Sequence, residues 1–168
     1  GNLSPIGLSL SLTEAAASRA VVLFALGNMS GRLSWGFVFD RVGSAALPLA
    51  LTVIAVAIAG LSPSAADARL FAFCAFVTAF GFGGCFVLVP AFVASRFGAA
   101  AVPHVYPLVY LMYGIAAIGG PPLGGWLFDR TGSFGIALAI AVAVSACGAA
   151  IVQWRSRARV LGPEKAVA

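Results

Sequence analysis

Charged residues are scarce in this sequence of 168 residues. Lys, Arg, Asp and Glu together make up 9% of the chain, against about 25% in a soluble domain. Hydrophobic residues account for 61%. Three uncharged runs, 42–66, 70–95 and 131–154, are each long enough to cross a hydrocarbon layer of roughly 30 Å as a helix. The composition excludes an ordinary soluble domain and predicts a polytopic membrane protein.

Side chains that bind metals or form disulfides are also few. The chain has one histidine, His104, and three cysteines, Cys74, Cys85 and Cys147, all inside apolar runs. Cysteines in such positions are typical of helix packing, and no Cys/His spacing predicts a metal site. We therefore expect no enzyme activity, no cofactor and no metal. The cations lie mostly at the ends of apolar runs, so the net charge of +5 does not predict a nucleic-acid partner.

Long apolar segments alternate with short polar turns, which predicts an all-α bundle of about five membrane-spanning helices. The expected spans are 14–38, 44–62, 70–94, 104–127 and 133–153. Thr13 is a suitable N-cap for the first of them. Residues 14–154 are expected to form the bundle. Residues 1–13 are expected to hold the end of a preceding helix and an external loop, and residues 155–168 a cytoplasmic tail.

Cations are divided unevenly between the two predicted membrane faces. One face has seven: Arg32, Arg41, Arg96, Arg155, Arg157, Arg159 and Lys165. The other face has three: Arg19, Arg69 and Arg130. Cytoplasmic loops carry the excess of Lys and Arg, so the C-terminus is expected in the cytoplasm of a protein of the cell (inner) membrane. Trp35, Trp126 and Trp154 fall near span ends and are expected to be interfacial anchors.

The sequence contains an internal repeat. Residues 36–43 (GFVFDRVG) match residues 125–132 (GWLFDRTG) at five of eight positions, with an offset of 89 residues. That offset corresponds to three spans, an odd number, so the two copies are expected on opposite sides of the membrane. An inverted-topology repeat of this kind is typical of secondary transporters.

Arg32 is the strongest candidate for a binding residue, because a cation inside a membrane span is costly unless it faces water or an anion. Arginine stays charged at physiological pH and can hold a carboxylate with two hydrogen bonds. The alternative is that Arg32 extends to the interface or pairs with Asp40. Asn28 lies one turn earlier on the same face and Ser30 is nearby. Both are expected to line the same cavity or, alternatively, to form hydrogen bonds between helices.

The third and fourth predicted spans are rich in Gly and Pro. Gly83 and Gly84 are expected to allow close helix approach or bending, and Gly120 and Pro121 to kink the fourth span. The fourth span also carries Tyr106, Tyr110 and Tyr113 on one face, at spacings of four and three. Tyr110 and Tyr113 are therefore candidate substrate-binding residues, with ordinary aromatic packing as the alternative.

The turn formed by Gly36, Asp40, Arg41 and Gly43 is expected to act as a gate. A charged turn between two spans can dock against the end of a neighbouring helix and hold one conformation closed. The alternative is a generic tight turn with interfacial charges.

The 36–43 turn resembles the signature loop of the major facilitator superfamily, in its second-half copy between the eighth and ninth helices. It departs from the full pattern because Ser44 and Ala45 stand where basic residues usually close the loop. Further strings are similar to the oxalate/formate antiporter and monocarboxylate transporter branch: 31–36 (GRLSWG), 81–84 (GFGG), 89–91 (VPA), 113–114 (YG) and 120–121 (GP). The resemblance implies helices eight to twelve of a twelve-helix fold. The N-terminal six-helix half and most of helix seven would lie outside this sequence.

In that branch, the arginine at the position of Arg32 is implicated in carboxylate binding. Oxalate-type members carry a lysine where Tyr113 stands, and a second buried anionic charge would be unpaired here. The resemblance therefore implies secondary transport of a monocarboxylate by alternating access, coupled to protons or to exchange. One alternative is a proton-coupled drug exporter, since residues 120–125 (GPPLGG) resemble an antiporter string. Another is a non-transporting scaffold or an inactive fragment.

Overall fold

The computed structural model describes the backbone of residues 2–160 and the side chains of residues 2–64 and 67–155. Six α-helices follow one another: α1 Leu3–Ser9, α2 Glu14–Val42, α3 Ala46–Leu61, α4 Ala68–Phe97, α5 Val102–Thr131 and α6 Gly135–Val160. One-turn 3-10 helices at Gly43–Ala45, Pro63–Ala66 and Ala99–Ala101 connect the longer elements. This part of the chain contains no strand, and the predicted all-α class is confirmed.

Four helical stretches of the described chain are long and apolar enough to cross a membrane: Glu14–Leu61, Ala68–Phe97, Ala99–Thr131 and Gly135–Arg155. The first stretch has 48 residues and contains both α2 and α3. Helices α2 and α3 run in opposite directions, because α2 is parallel to α4 and α3 is antiparallel to it. The five spans α2 to α6 therefore agree with the number predicted, and the protein is a multi-pass membrane protein.

Helices α2 and α4 run parallel and pack backbone to backbone. A Cβ atom at Gly27 or Gly31 of α2 would overlap the carbonyl oxygen of Phe76 or Phe80 in α4. Further along both helices, the Trp35 ring fills the space beside Gly84. Glycine is needed at the two α2 positions because any side chain would push the helices apart.

Helix α3 runs antiparallel to α4, since Gly60 lies against Cys74 near one end and Arg96 reaches Ser44 at the other. Two buried clusters mark these ends, one with Phe71 and one with Leu88 at its centre. Helix α6 packs on α3, as the contact of Gly148 with Leu51 shows. The core thus follows α4 and α3, the two helices with most buried residues.

Helix α5 lies at the edge of the bundle. Its only buried residue is Gly124, and its contacts with the rest of the bundle come mainly from its N-terminal half against α4. It runs antiparallel to α4 because Tyr106 lies beside Phe86, whereas Tyr113 also reaches Phe82. Helices α2 and α5 therefore run in opposite directions, and the two copies of the repeat end at opposite membrane faces.

In both copies of the repeat, a glycine with a positive φ follows the end of a helix. Gly43 follows α2 with φ +58°, and its N–H donates to the Phe39 carbonyl. Gly132 follows α5 with φ +69°, and its N–H donates to the Phe128 carbonyl at 2.7 Å. Glycine adopts this left-handed conformation without the steric cost that a Cβ atom brings. The final glycine of the repeat is thus a helix stop.

Two details differ from the expectations. Trp35 is not an interfacial anchor: it is 3% exposed between α2 and α4, where its Nε1 donates to the Phe80 carbonyl at 3.1 Å. Sequence position alone could not show that α4 would cover this ring. Helix α6 also continues to Val160, so the tail predicted from residue 155 begins within a helix. The prediction for residues 161–168, including Lys165, lies outside the described residues.

Candidate substrate-binding site

Arg32 lies deep in a membrane-spanning helix. Asn28 is the central residue of α2, and Arg32 follows it by one helical turn. At 1.5 Å per residue, Arg32 is about 15 Å from the end of the helix at Val42, well inside a hydrocarbon layer of roughly 30 Å. Its side chain is exposed on the surface of the described bundle. A cation at this depth requires a water-filled cavity or an anion.

Two neighbours hold the Arg32 guanidinium in place. Its Nε donates to Oδ1 of Asn28 at 3.1 Å. Its Cζ lies 4.5 Å from the centroid of the Phe86 ring in α4, a distance typical of a cation–π contact. Among the described residues, no protein acceptor pairs with its two Nη groups. That free edge can bind a carboxylate through two parallel hydrogen bonds.

Phe86 is also the centre of an aromatic cluster that joins α4 to α5. The cluster consists of Phe82, Phe86, Tyr106, Tyr110 and Tyr113. The rings of Phe82 and Tyr113 each lie 5.3 Å from that of Phe86 in edge-to-face geometry, and the Tyr110 ring lies 5.8 Å away. The Tyr106 ring meets the Tyr110 ring edge to face, and the Tyr106 hydroxyl donates to the Phe86 carbonyl at 3.2 Å. These contacts fix Phe86 beneath Arg32.

The aromatic cluster lines a small apolar cavity of about 150 Å³, together with Cys85, Val89 and Val109. None of the residues that line it is charged. Arg32 contacts one of its walls, the Phe86 ring. Such an arrangement can bind an anion at the guanidinium and place an apolar group against the rings.

The structure brings together all four residues predicted to bind substrate. Arg32, Asn28, Tyr110 and Tyr113 lie around Phe86, although they come from two helices that are far apart in sequence. Their roles stay predictions. Sequence reasoning missed Phe82 and Phe86. Their spacing of four residues could have identified them, because it places both rings on one face of α4.

The glycines expected to give flexibility have two different environments. Gly83 and Gly84 are buried, and a Cβ atom at either position would overlap Asn28 or Trp35. Close packing of α4 against α2 explains both of them. Gly120 has nothing within 4 Å of an added Cβ atom, and Pro121 is exposed. Helix α5 is continuous through Pro121, and the carbonyl of this proline accepts a hydrogen bond from Nδ2 of Asn2 at 3.0 Å.

The turn predicted to act as a gate lies where α2, α3 and α4 meet. Gly36 lies within α2, and Asp40 and Arg41 are exposed in its last turn. The contact that docks this turn on α4 comes from the adjacent Ser44, whose Oγ accepts from Nη2 of Arg96 at 3.4 Å. Ser44 is one of the two residues that depart from the family pattern, so the docking contact differs from the one expected.

The sequence of this bundle is similar to that of a known protein family. Residues 1–167 match the family model described as Major Facilitator Superfamily. The chain belongs to the major facilitator superfamily. Its members are transporters and not enzymes, so the predicted family and the expected absence of enzyme activity are confirmed.

Individual relatives of this superfamily are distant. The chain is 29% identical over 108 residues to the uncharacterized MFS-type transporter YhjX of Escherichia coli strain K12, covering 64% of the chain and 27% of the relative. It is 26% identical over 156 residues to monocarboxylate transporter 12 of Rattus norvegicus and of Mus musculus, covering 89% of the chain and 30% of each relative. The chain thus spans less than a third of the length of these curated relatives.

Proposed function

We propose that this chain is the C-terminal part of a secondary transporter that moves a small monocarboxylate by alternating access. The observation that carries the proposal is Arg32, a cation inside a span whose guanidinium lies over the Phe86 ring and whose Nη groups have no protein acceptor among the described residues. Two of the relatives are named as monocarboxylate transporters, which supports the same substrate class. Protons or a second anion would be the coupling partner.

Charge matching favours one carboxylate over two. The cavity beside Arg32 is lined by uncharged residues only. A second carboxylate placed there would be buried without a cation, which costs several kcal/mol. The site as described therefore suits a monocarboxylate whose apolar part contacts the aromatic cluster.

We further propose that an N-terminal six-helix half completes the transport pathway. Arg32, Tyr110 and Tyr113 are exposed on the described bundle, so a second half facing them would enclose the site. The lipid bilayer surrounds the remaining faces. In this arrangement the C-terminus lies in the cytoplasm, in agreement with the seven-to-three distribution of cations in the sequence.

The test is uptake of labelled monocarboxylates by proteoliposomes that contain the full-length protein. Arg32→Ala is expected to lower uptake by about 100-fold or more, because a desolvated carboxylate without its partner costs about 3–5 kcal/mol. Arg32→Lys keeps the charge but loses the planar fork and is expected to retain partial uptake. Arg69→Ala, at a span end, is the matched control and should transport normally.

The result contradicts the proposal if Arg32→Ala transports as well as the unmodified protein, or if Arg32→Lys does so while Tyr113→Phe abolishes transport. Absence of any carboxylate uptake, under either a proton gradient or counterflow, would favour the drug-exporter alternative. The apolar aromatic walls of the cavity support this alternative, because they could also contact a hydrophobic drug. A cationic drug would nevertheless meet the charge of Arg32.

A further inference from the structure

A long open groove of about 790 Å³ runs between α3 and α6. We call it the α3–α6 groove. Small side chains form much of it, including Ala45, Ala55, Ala146 and Ala150, and larger apolar residues such as Leu49 and Val56 complete it. Its one hydroxyl, on Thr52, donates to the Pro48 carbonyl of the same helix at 2.9 Å. Apart from Thr52 and Gln153, the side chains that line the groove are apolar.

The length of the α3–α6 groove suits a lipid acyl chain. From the start of α3 at Ala46 to Ala59 it follows the helix for about 20 Å at 1.5 Å per residue, more than one leaflet of a hydrocarbon layer that is roughly 30 Å thick. Its wall is apolar along this length, so a single acyl chain can lie in it.

Two arginines are close in sequence to the residues that line one end of the groove. At that end Val42 and Gln153 line it, next to Arg41 and two residues before Arg155. Asp40 is the acidic residue on this edge, and Arg96 there donates to Ser44. At the other end the stretch 60–66 is uncharged, and Asp67 and Arg69 follow it in the chain.

The aromatic ring at the cationic end marks the level of the lipid headgroups. Trp154 is 68% exposed, and Cζ of Arg155 lies 5.8 Å from its ring centroid. Exposed tryptophans at the end of a span are typical of the membrane–water interface. A phosphate at this level would meet the two arginines while its acyl chain points along the groove towards the membrane interior.

We infer that the α3–α6 groove is a binding site for one anionic phospholipid, with its phosphate between Arg41 and Arg155 and one acyl chain along α3. The inference rests on the membrane-spanning bundle and not on the transported substrate. It can therefore be tested independently of the carboxylate site at Arg32.

Native mass spectrometry of the full-length protein tests this inference directly. The protein is released from micelles that contain equal amounts of phosphatidylglycerol and phosphatidylcholine with identical acyl chains. The unmodified protein is expected to retain one phosphatidylglycerol in preference to phosphatidylcholine. In the double variant Arg41→Gln, Arg155→Gln this preference should fall by about 30-fold, since each cation near an anionic membrane surface contributes about a fivefold factor.

Two further variants separate the headgroup from the acyl chain. Ala146→Leu fills the groove at an exposed position and is expected to lower retention of both lipids without changing their ratio. Arg130→Gln removes the arginine that corresponds to Arg41 in the other copy of the repeat, at the opposite membrane face. Its lipid retention should equal that of the unmodified protein.

Two results would overturn the inference. One is equal retention of the two lipids by the unmodified protein, or an unchanged preference in the double variant. The other is a mass of two protein copies that Ala146→Leu converts to one, because the groove would then be a contact between subunits. Arg41 and Arg155 are both exposed, so the double variant should melt close to the temperature of the unmodified protein. An unchanged melting temperature shows that a loss of the preference for phosphatidylglycerol does not come from misfolding.

Discussion

Cζ of Arg32 in α2 lies 4.5 Å from the centroid of the Phe86 ring in α4. This contact links the proposed substrate-binding cation to α4, a helix that contributes to both buried clusters. It also connects the two helices whose backbones approach most closely. A change in the ring would therefore alter the position of the guanidinium without removing its charge.

Phe86→Leu tests that contact. We expect KM for the transported monocarboxylate to rise about 2-fold to 30-fold, the range that corresponds to a cation–π interaction of about 0.5–2 kcal/mol. Proteoliposome uptake at several substrate concentrations measures KM. Phe73→Leu is the control, because Phe73 is 62% exposed on the same helix. An unchanged KM in Phe86→Leu would show that the ring does not position Arg32.

Gly31→Ala tests the close approach of α2 to α4. A Cβ atom there would overlap the Phe80 carbonyl, so the helices must separate, and overpacking of this kind costs about 1–3 kcal/mol. We expect a lower melting temperature in detergent micelles.

Gly120→Ala is the matched control for this change. Gly120 has no atom within 4 Å of an added Cβ, so alanine there should leave the melting temperature unchanged or raise it slightly. Equal melting temperatures for Gly31→Ala and the unmodified protein would mean that the two helices do not pack this closely in the membrane.

Asp40→Asn tests the predicted gate. If the charge of this turn holds one conformation closed, its loss should change the maximal rate of transport severalfold while KM stays near its original value, because Asp40 lies eight residues from Arg32. Asp129→Asn changes the corresponding residue of the second copy and should have a smaller effect. A rise in KM with no change in maximal rate would assign Asp40 to binding instead.

The proposed orientation of the chain is tested with a C-terminal reporter. A fluorescent protein that folds only in the cytoplasm should fluoresce when it is fused after Ala168. A fusion placed after Asp67, between α3 and α4, should remain dark because that turn lies at the opposite membrane face. Fluorescence of the second fusion alone would reverse the orientation.

The membrane-spanning class and the family followed from local properties of the sequence. Runs such as 70–95 lack charge over a length typical of a membrane-spanning helix, and the glycine that closes each copy of the repeat follows the end of a helix in both places. Thr13 also caps α2 as expected, with Oγ1 accepting from the Ala16 N–H at 3.3 Å. Such features depend on neighbours within a few residues, so composition and spacing were sufficient.

The neighbours of Arg32 and the position of Trp35 were decided by tertiary structure alone. The parallel packing of α2 on α4 brings Phe86 beneath a guanidinium 54 residues earlier in the chain, and the same packing buries Trp35 against Gly84. The periodicity of either helix shows which residues share a face but not which helix that face meets. That pairing depends on where two backbones can approach each other, a property of both surfaces at once.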